Sequence, residues 1–300
     1  MKNATHQVRL IHNPTAGGAE HDKKQLISLI NSYGFTCGYS SSKKKFLRVI
    51  NPETEIIAVA GGDGTIRKTV LRLLDKKLKF KRPIAILPLG TANNIATSLG
   101  ITADHNRYIS SWKESKLKKL DVGYVSLGND GLYFIESFGF GLFPALMKAM
   151  DKKESPASND PEDEIKLALN SLIKLASNYE PFHCKITCDE EVLEDEFLMV
   201  EVMNIPRLGP RLILAPEADP GDGLFAVVAV RSNQRENLIA YLSALEEGKK
   251  IDFPFPAISV AKLAVEWKTA DVHVDDEQLK LGKKGKAELY MLRDLVEVIV

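Results

Sequence analysis

The chain has 300 residues, 44% of them hydrophobic, and its 40 basic and 40 acidic side chains cancel. That length supports a sizeable core spread over two domains, and zero net charge excludes a binding mode that rests on global attraction to nucleic acid. The opening stretch MKNATHQVRLIHNP carries no apolar signal segment, and no run approaches membrane-spanning length. The expectation is therefore a cytoplasmic protein. Cys184 and Cys188, on one strand, would lie about 13 Å apart, too far to bridge, so these two and Cys37 are expected as reduced residues.

The first 125 residues alternate two signals. Val8 to His12 predicts a strand, Lys23 to Tyr33 a helix, Phe35 to Tyr39 a strand and Lys43 to Ile50 a short helix. The run Ile56, Ile57, Ala58, Val59, Ala60 is short and β-branched, as in a buried parallel strand. A helix over 65–77, a strand from Ile84 to Leu87 and a helix from Asn93 to Leu99 follow. Such alternation predicts a Rossmann-like α/β domain with a parallel sheet, over residues 1–124.

From about residue 120 the texture is β-rich. Strands are expected at 116–126, 132–138, 182–188, 192–203, 211–215, 224–230, 258–267, 271–281, 286–292 and 295–300. Two helices are expected at 141–150 and 162–178, joined by a polar stretch at 151–163 that reads as a mobile loop. Residues 125–300 thus predict a mostly antiparallel β domain, with the last strand free to return to the first domain.

Three strand ends of the first half share one chemistry. HNPTAGG (12–18), GGDGT (61–65) and PLGTANN (88–94) each join glycine to hydroxyl or amide side chains. Parallel strands bring their C-terminal ends to one sheet edge, where open α/β sheets bind ligands. Glycine lets the backbone approach closely, and a following helix offers N–H groups to an anion. Neither common nucleotide fingerprint is present: no Lys follows the glycines, and Arg67 stands where the dinucleotide motif needs glycine. Asp63 is the odd member, since a carboxylate beside phosphate asks for a cation such as Mg²⁺.

NPTAG, GGDGT and PLGTANNIA in this order resemble the diacylglycerol kinase catalytic family, which includes bacterial lipid kinases and, more distantly, sphingosine and ceramide kinases. LDVG (120–123), FGFG (138–141), LAPEADPGDG (214–223) and VDDE (274–277) extend the resemblance across the chain. It implies an ATP-dependent lipid kinase with an NAD kinase-like nucleotide domain, a C-terminal β-sandwich and peripheral contact with a membrane. Carried across, Asn13, Pro14, Thr15, Ser40, Gly61, Gly62, Asp63, Gly64, Thr65, Gly90, Thr91, Asn93 and Asn94 become ATP-contacting positions. Asp219, Asp222 and the carbonyl of Leu224 become ligands of a structural Mg²⁺, although Asp, Pro and Gly also build ordinary solvent turns. VHVDDEQ (272–278) resembles the Asp-Gly-Glu segment that carries the general base, here Asp275 with Glu277 beside it. Strand alternation would send Val272 and Val274 to the core and His273, Asp275 and Glu277 to the other side.

Two positions depart from the family. Asp276 replaces its glycine, a cost if positive φ is required, and Asn94 stands where many relatives have Asp. An NAD kinase shares GGDGT, and a nucleotide-binding regulator with weakened catalysis is a reading that Asp276 keeps open. Finally, IDFPFPAI (251–258) holds Phe253 and Phe255 between prolines that cannot join a ladder. It is either a membrane-facing edge or a connector packed into the core.

Overall fold

Two kinds of apolar pattern divide the chain, and each builds its own layer. The computed structural model describes residues 6–16, 22–43, 50–75, 82–114, 116–152, 160–189, 191–281 and 284–300. Most of the helix expected over Lys43–Ile50, Gly17 and Gly18 of the first loop, residues 76–77 of the helix expected over 65–77, and most of the polar stretch at 151–163 lie outside the described residues. Contacts separate the chain into unit 1, residues 1–120 with 294–300, and unit 2, residues 121–293.

Unit 1 contains β1 (His6–His12), α1 (Lys23–Ser32), β2 (Phe35–Ser41), β3 (Ile56–Gly61), α2 (Asp63–Asp75), β4 (Ile84–Pro88), α3 (Asn94–Ser98) and α4 (His105–Ser111). Its sheet is parallel in the order β2-β1-β3-β4. Every residue of β3 and β4 is buried, the signature of strands covered on both faces. The C-terminal tail returns to this sheet, where Val298 pairs in parallel with Ile84. Tyr108 fastens it: its hydroxyl donates to the Ile299 carbonyl at 2.6 Å and accepts the Ile86 N–H at 3.2 Å.

Unit 2 takes its strands from alternating sequence. In chain order it holds most of β5 (Leu117–Leu127), β6 (Asp130–Phe134), β7 (Ser137–Gly141), α5 (Leu142–Met150), α6 (Pro161–Asn178), β8 (Phe182–Cys188) and β9 (Glu191–Met203). The short β10 (Arg207–Leu208) and β11 (Leu212–Ile213) precede β12 (Phe225–Arg231), α7 (Arg235–Glu246), β13 (Ile258–Val260) and β14 (Lys262–Lys268). β15 (Val272–Val274), β16 (Glu277–Leu279) and most of β17 (Lys284–Ile299) complete it. The main run is antiparallel, β16-β15-β7-β9-β8-β14-β17, with β12 on β9. β12 shows why both faces are covered. Phe225 and Val227 enter one apolar cluster, while Ala226, Val228 and Val230 enter another beneath α5, α6 and α7. Cys184 and Cys188 are buried free thiols of β8, and burial pushes the Cys184 thiol up to about 12.

Several elements differ from the sequence reading. The single strand expected over 271–281 is a hairpin, β15 and β16, turning at Asp275 and Asp276. The strand expected over 132–138 breaks at Ile135–Glu136 into β6 and β7, and 286–292 with 295–300 form the one strand β17. Helix α7 corresponds to no element expected from the sequence.

Candidate functional site

In unit 1 the three glycine loops leave the C-terminal ends of β1, β3 and β4, and main-chain bonds tie them together. Asn13 N–H donates to the Ala60 carbonyl at 2.9 Å, and Leu89 N–H to the Gly61 carbonyl at 3.0 Å. Gly62 and Gly90 meet backbone to backbone. A Cβ on Gly90 would stand 2.5 Å from the Gly62 Cα, and one on Gly61 would stand 2.6 Å from Thr65. These glycines therefore let two loops and a helix close on each other, forming a floor of main-chain groups at the start of α2. Thirteen residues follow in α2, so its first turn presents N–H groups suited to an anion.

The side chains around this floor divide into two sets. Asn13 Oδ1 accepts from the Thr15 hydroxyl at 3.0 Å, and Pro14 and Thr15 are exposed. Asn93, with φ of 52°, has its amide bonded in both directions to Gly90, at 2.8 and 2.6 Å, so it shapes its own loop. Ser40 is different. It is 7% exposed at the end of β2, and its hydroxyl has no hydrogen-bond partner among the described residues. A buried hydroxyl without a partner is costly, and a bound molecule would satisfy it.

Asp63 does work that the sequence did not reveal. Its Oδ2 accepts the Asn94 N–H and its Oδ1 the Ile95 N–H, both at 2.9 Å. The carboxylate thus caps α3 and clamps the GGDGT loop to the PLGTANN loop. That clamp gives the acid of the glycine loop a structural role.

In unit 2 the Asp275 turn is held at three points. Asp275 N–H donates to the Ser137 carbonyl at 2.8 Å. Its Oδ1 accepts N–H bonds from Ile135, Glu136 and Ser137 at 3.1, 2.8 and 3.1 Å, and Oδ2 a further contact from Ile135 at 3.1 Å. Its carbonyl meets His273 Nδ1 at 2.9 Å. The break between β6 and β7 supplies the Ile135 and Glu136 N–H groups, and the first residue of β7 supplies the third. Val272 and Val274 enter the apolar core and His273 takes the other side, as alternation expects. That side is covered as well: His273 is 1% exposed and Asp275 is buried, while Glu277 lies exposed on the next strand. The turn also removes the objection to Asp276. Positive φ falls on Asp275, at 47°, and Asp276 is exposed.

Glu201 is the residue that sequence reading missed. It is fully buried, and its carboxylate oxygens lie 3.1 and 3.0 Å from His273 Nε2. A lone acid in the apolar run Phe197–Met203 was the available signal. Burial raises the Glu201 carboxyl above its ordinary value, against the opposing pull of His273. Burial alone would lower His273, yet the adjacent Glu201 carboxylate leaves it raised.

The acidic turn is anchored by the buried Asp121, whose N–H donates to the Pro220 carbonyl at 2.6 Å. Asp219 and Asp222 are exposed and accept N–H bonds from Gly221 and Leu224 at 3.0 and 2.8 Å. Arg293 donates to the Asp222 carbonyl at 2.8 Å. Among the described residues no group of three or more His, Cys, Asp or Glu gathers in a metal-holding arrangement. Two carboxylates and a carbonyl are nevertheless hard oxygen donors of the kind Mg²⁺ accepts alongside water.

Within the segment 251–258 the two phenylalanines pack inward, while Ile251 and Ile258 are exposed. Phe255 is 6% exposed, and Phe253 stacks edge-on between Tyr241 and Phe255 with both centroid distances at 5.1 Å. No helix among the described residues is long and apolar enough to cross a membrane.

A parallel-sheet domain with three joined glycine loops, followed by an antiparallel domain with a clamped acid, defines a two-domain kinase-like class. Residues 7–125 match the diacylglycerol kinase catalytic domain, and residues 148–285 match the YegS C-terminal NAD kinase beta sandwich-like domain. A diacylglycerol kinase of Bacillus subtilis (strain 168) is 25% identical over 267 residues, 82% of this chain and 80% of that one. A crystal structure of a diacylglycerol kinase from Bacillus anthracis str. Sterne covers 99% of this chain and 98% of its own, with a TM-score of 0.72 at 22% identity. An Archaeoglobus fulgidus NAD kinase in complex with ATP shares the fold, at a TM-score of 0.51 and 13% identity, over 98% of this chain and 93% of its own. The chain belongs to the diacylglycerol kinase catalytic-domain family of lipid kinases.

Proposed function

We propose that this chain is an ATP-dependent lipid kinase that transfers the γ-phosphate of Mg-ATP to the hydroxyl of a lipid such as diacylglycerol. The observation that carries the reading is the joined floor of Gly61, Gly62 and Gly90 at the start of α2, with the unsatisfied Ser40 hydroxyl in the same unit. Main-chain N–H groups there suit phosphate oxygens, and Asn13, Pro14, Thr15, Gly64, Thr65, Thr91 and Asn94 border the floor. Asp63 and Asn93 act on ATP by fixing the loops that hold it.

Phosphoryl transfer asks mainly for alignment and charge stabilisation. The lipid oxygen attacks the γ-phosphorus, the bond to the β-phosphate oxygen breaks, and ADP leaves. The hydroxyl proton passes to the Asp275 carboxylate, whose orientation is set by the N–H groups of 135–137. Glu277 is the second acid of the segment. Mg²⁺ would neutralise charge on the phosphates, and Asp219, Asp222 and the Leu224 carbonyl are the donor set for a structural ion. A lipid acceptor makes the membrane surface a peripheral partner. Family membership supports this reading.

The test uses the full chain with γ-labelled ATP, Mg²⁺ and phosphatidylglycerol vesicles containing dioleoylglycerol. Label extracted into the organic phase is the expected result. Label that stays wholly in nucleotide or free phosphate contradicts the reading.

A further inference from the structure

Beneath the Asp275 turn lie two ionisable side chains that the proposed chemistry leaves unused. His273 Nδ1 faces the Asp275 carbonyl at 2.9 Å, and a carbonyl oxygen can only accept, so Nδ1 carries its hydrogen. Between Nε2 and Glu201 there is then one proton, whichever atom holds it. Imidazolium with carboxylate and imidazole with carboxylic acid are both net neutral, and in both Nδ1–H donates to Asp275.

Three neighbouring strands build this arrangement. Gly139 of β7 pairs with His273 on one side and with Glu201 on the other. A Cβ at Gly139 would stand 2.1 Å from a Glu201 carboxylate oxygen, so glycine leaves the room the pair needs. Phe143 of α5 covers the imidazole, with ring centroids 6.5 Å apart. A buried ion pair is a weak source of stability, and an apolar pair would fill the same space. What this pair adds is a donor aimed at Asp275, whose φ of 47° is unfavourable for any residue with a side chain.

We infer that Glu201 and His273 are positioning residues, which hold the Asp275 main chain in its left-handed conformation and so aim its carboxylate. The inference rests on the role proposed for Asp275. Its test therefore has one arm that needs no activity. Long-range proton–nitrogen spectra of the 15N-labelled full chain, with His273 assigned by its loss in His273→Gln, report the imidazole directly. The expected result is a protonated Nδ1 throughout about pH 5 to 9; a bare Nδ1 overturns the inference.

The second arm is kinetic, with ATP and dioleoylglycerol in mixed micelles. His273→Gln should lower kcat about 10- to 100-fold with the KM for ATP unchanged, as misplacing a reacting group does. In an Asp275→Asn background the same change should remove less than about a further threefold, because its effect runs through Asp275. Equal losses in both backgrounds overturn it. A wild-type chain that labels no lipid strikes the proposed function, while the nitrogen spectra still decide the geometry.

Discussion

Asp63 joins two loops through one carboxylate, with Asn94 and Ile95 N–H groups on separate oxygens. An amide in its place offers only one oxygen, so Asp63→Asn should cost about 0.5–2 kcal/mol, the scale of a lost helix cap. Calorimetry should show the lower melting point, and ATP titration a weaker affinity; an unchanged melt would mean the clamp is unimportant. A second prediction concerns the proton shared by His273 and Glu201. Both groups are raised in the folded protein, so the folded state holds its proton more tightly than the unfolded chain. Stability from His273 is then complete below its ordinary value of 6.5 and is lost as pH rises through the raised folded value. Around it, Glu201 of β9 and the Asp275 turn supply charge, while Phe143 of α5 is apolar. Melting temperature should fall as pH rises above neutrality in the wild type and follow a flatter course in His273→Gln. Parallel curves would remove the pair from the pH response.

At the level of elements, the loops depend on how closely backbones approach. Gly90→Ala should drive a methyl into Gly62, opening the floor and raising the KM for ATP at least about tenfold, since small misplacements carry large kinetic costs. Normal ATP kinetics in that variant would show that the floor is not the nucleotide site. The 251–258 segment gives the opposite kind of forecast. Phe255→Ala should lower stability by about 3–5 kcal/mol, as for other buried Phe truncations, and loss of vesicle binding without loss of stability would contradict its place in the core. Strands such as β3 and β4 were legible because short, continuous apolar runs rich in Ile and Val leave few alternatives. The β15–β16 hairpin was not, since nothing in VHVDDEQL marks a turn with φ positive at an Asp. That one turn separated Asp275 from Glu277, which pairs with Val274 on the next strand.

For the molecule as a whole, the texture of the sequence visibly changes at about residue 120, and contacts divide the chain into residues 1–120 with 294–300 and residues 121–293. The glycine loops and the Asp275 segment were visible too, through composition and resemblance. Their internal bonding was not, because Asp63 meets Asn94 across 31 positions and Glu201 meets His273 across 72. Such pairings come from sheet register, which one strand's pattern does not encode. A lipid kinase and an NAD kinase differ in the acceptor, a lipid hydroxyl in place of the ribose hydroxyl of NAD. The most direct measurement incubates the full chain with labelled ATP, Mg²⁺, NAD and a total lipid extract together, then identifies every labelled product by mass spectrometry. A phosphorylated lipid that disappears with Asp275→Asn is the predicted result, and labelled NADP without lipid phosphate would contradict it.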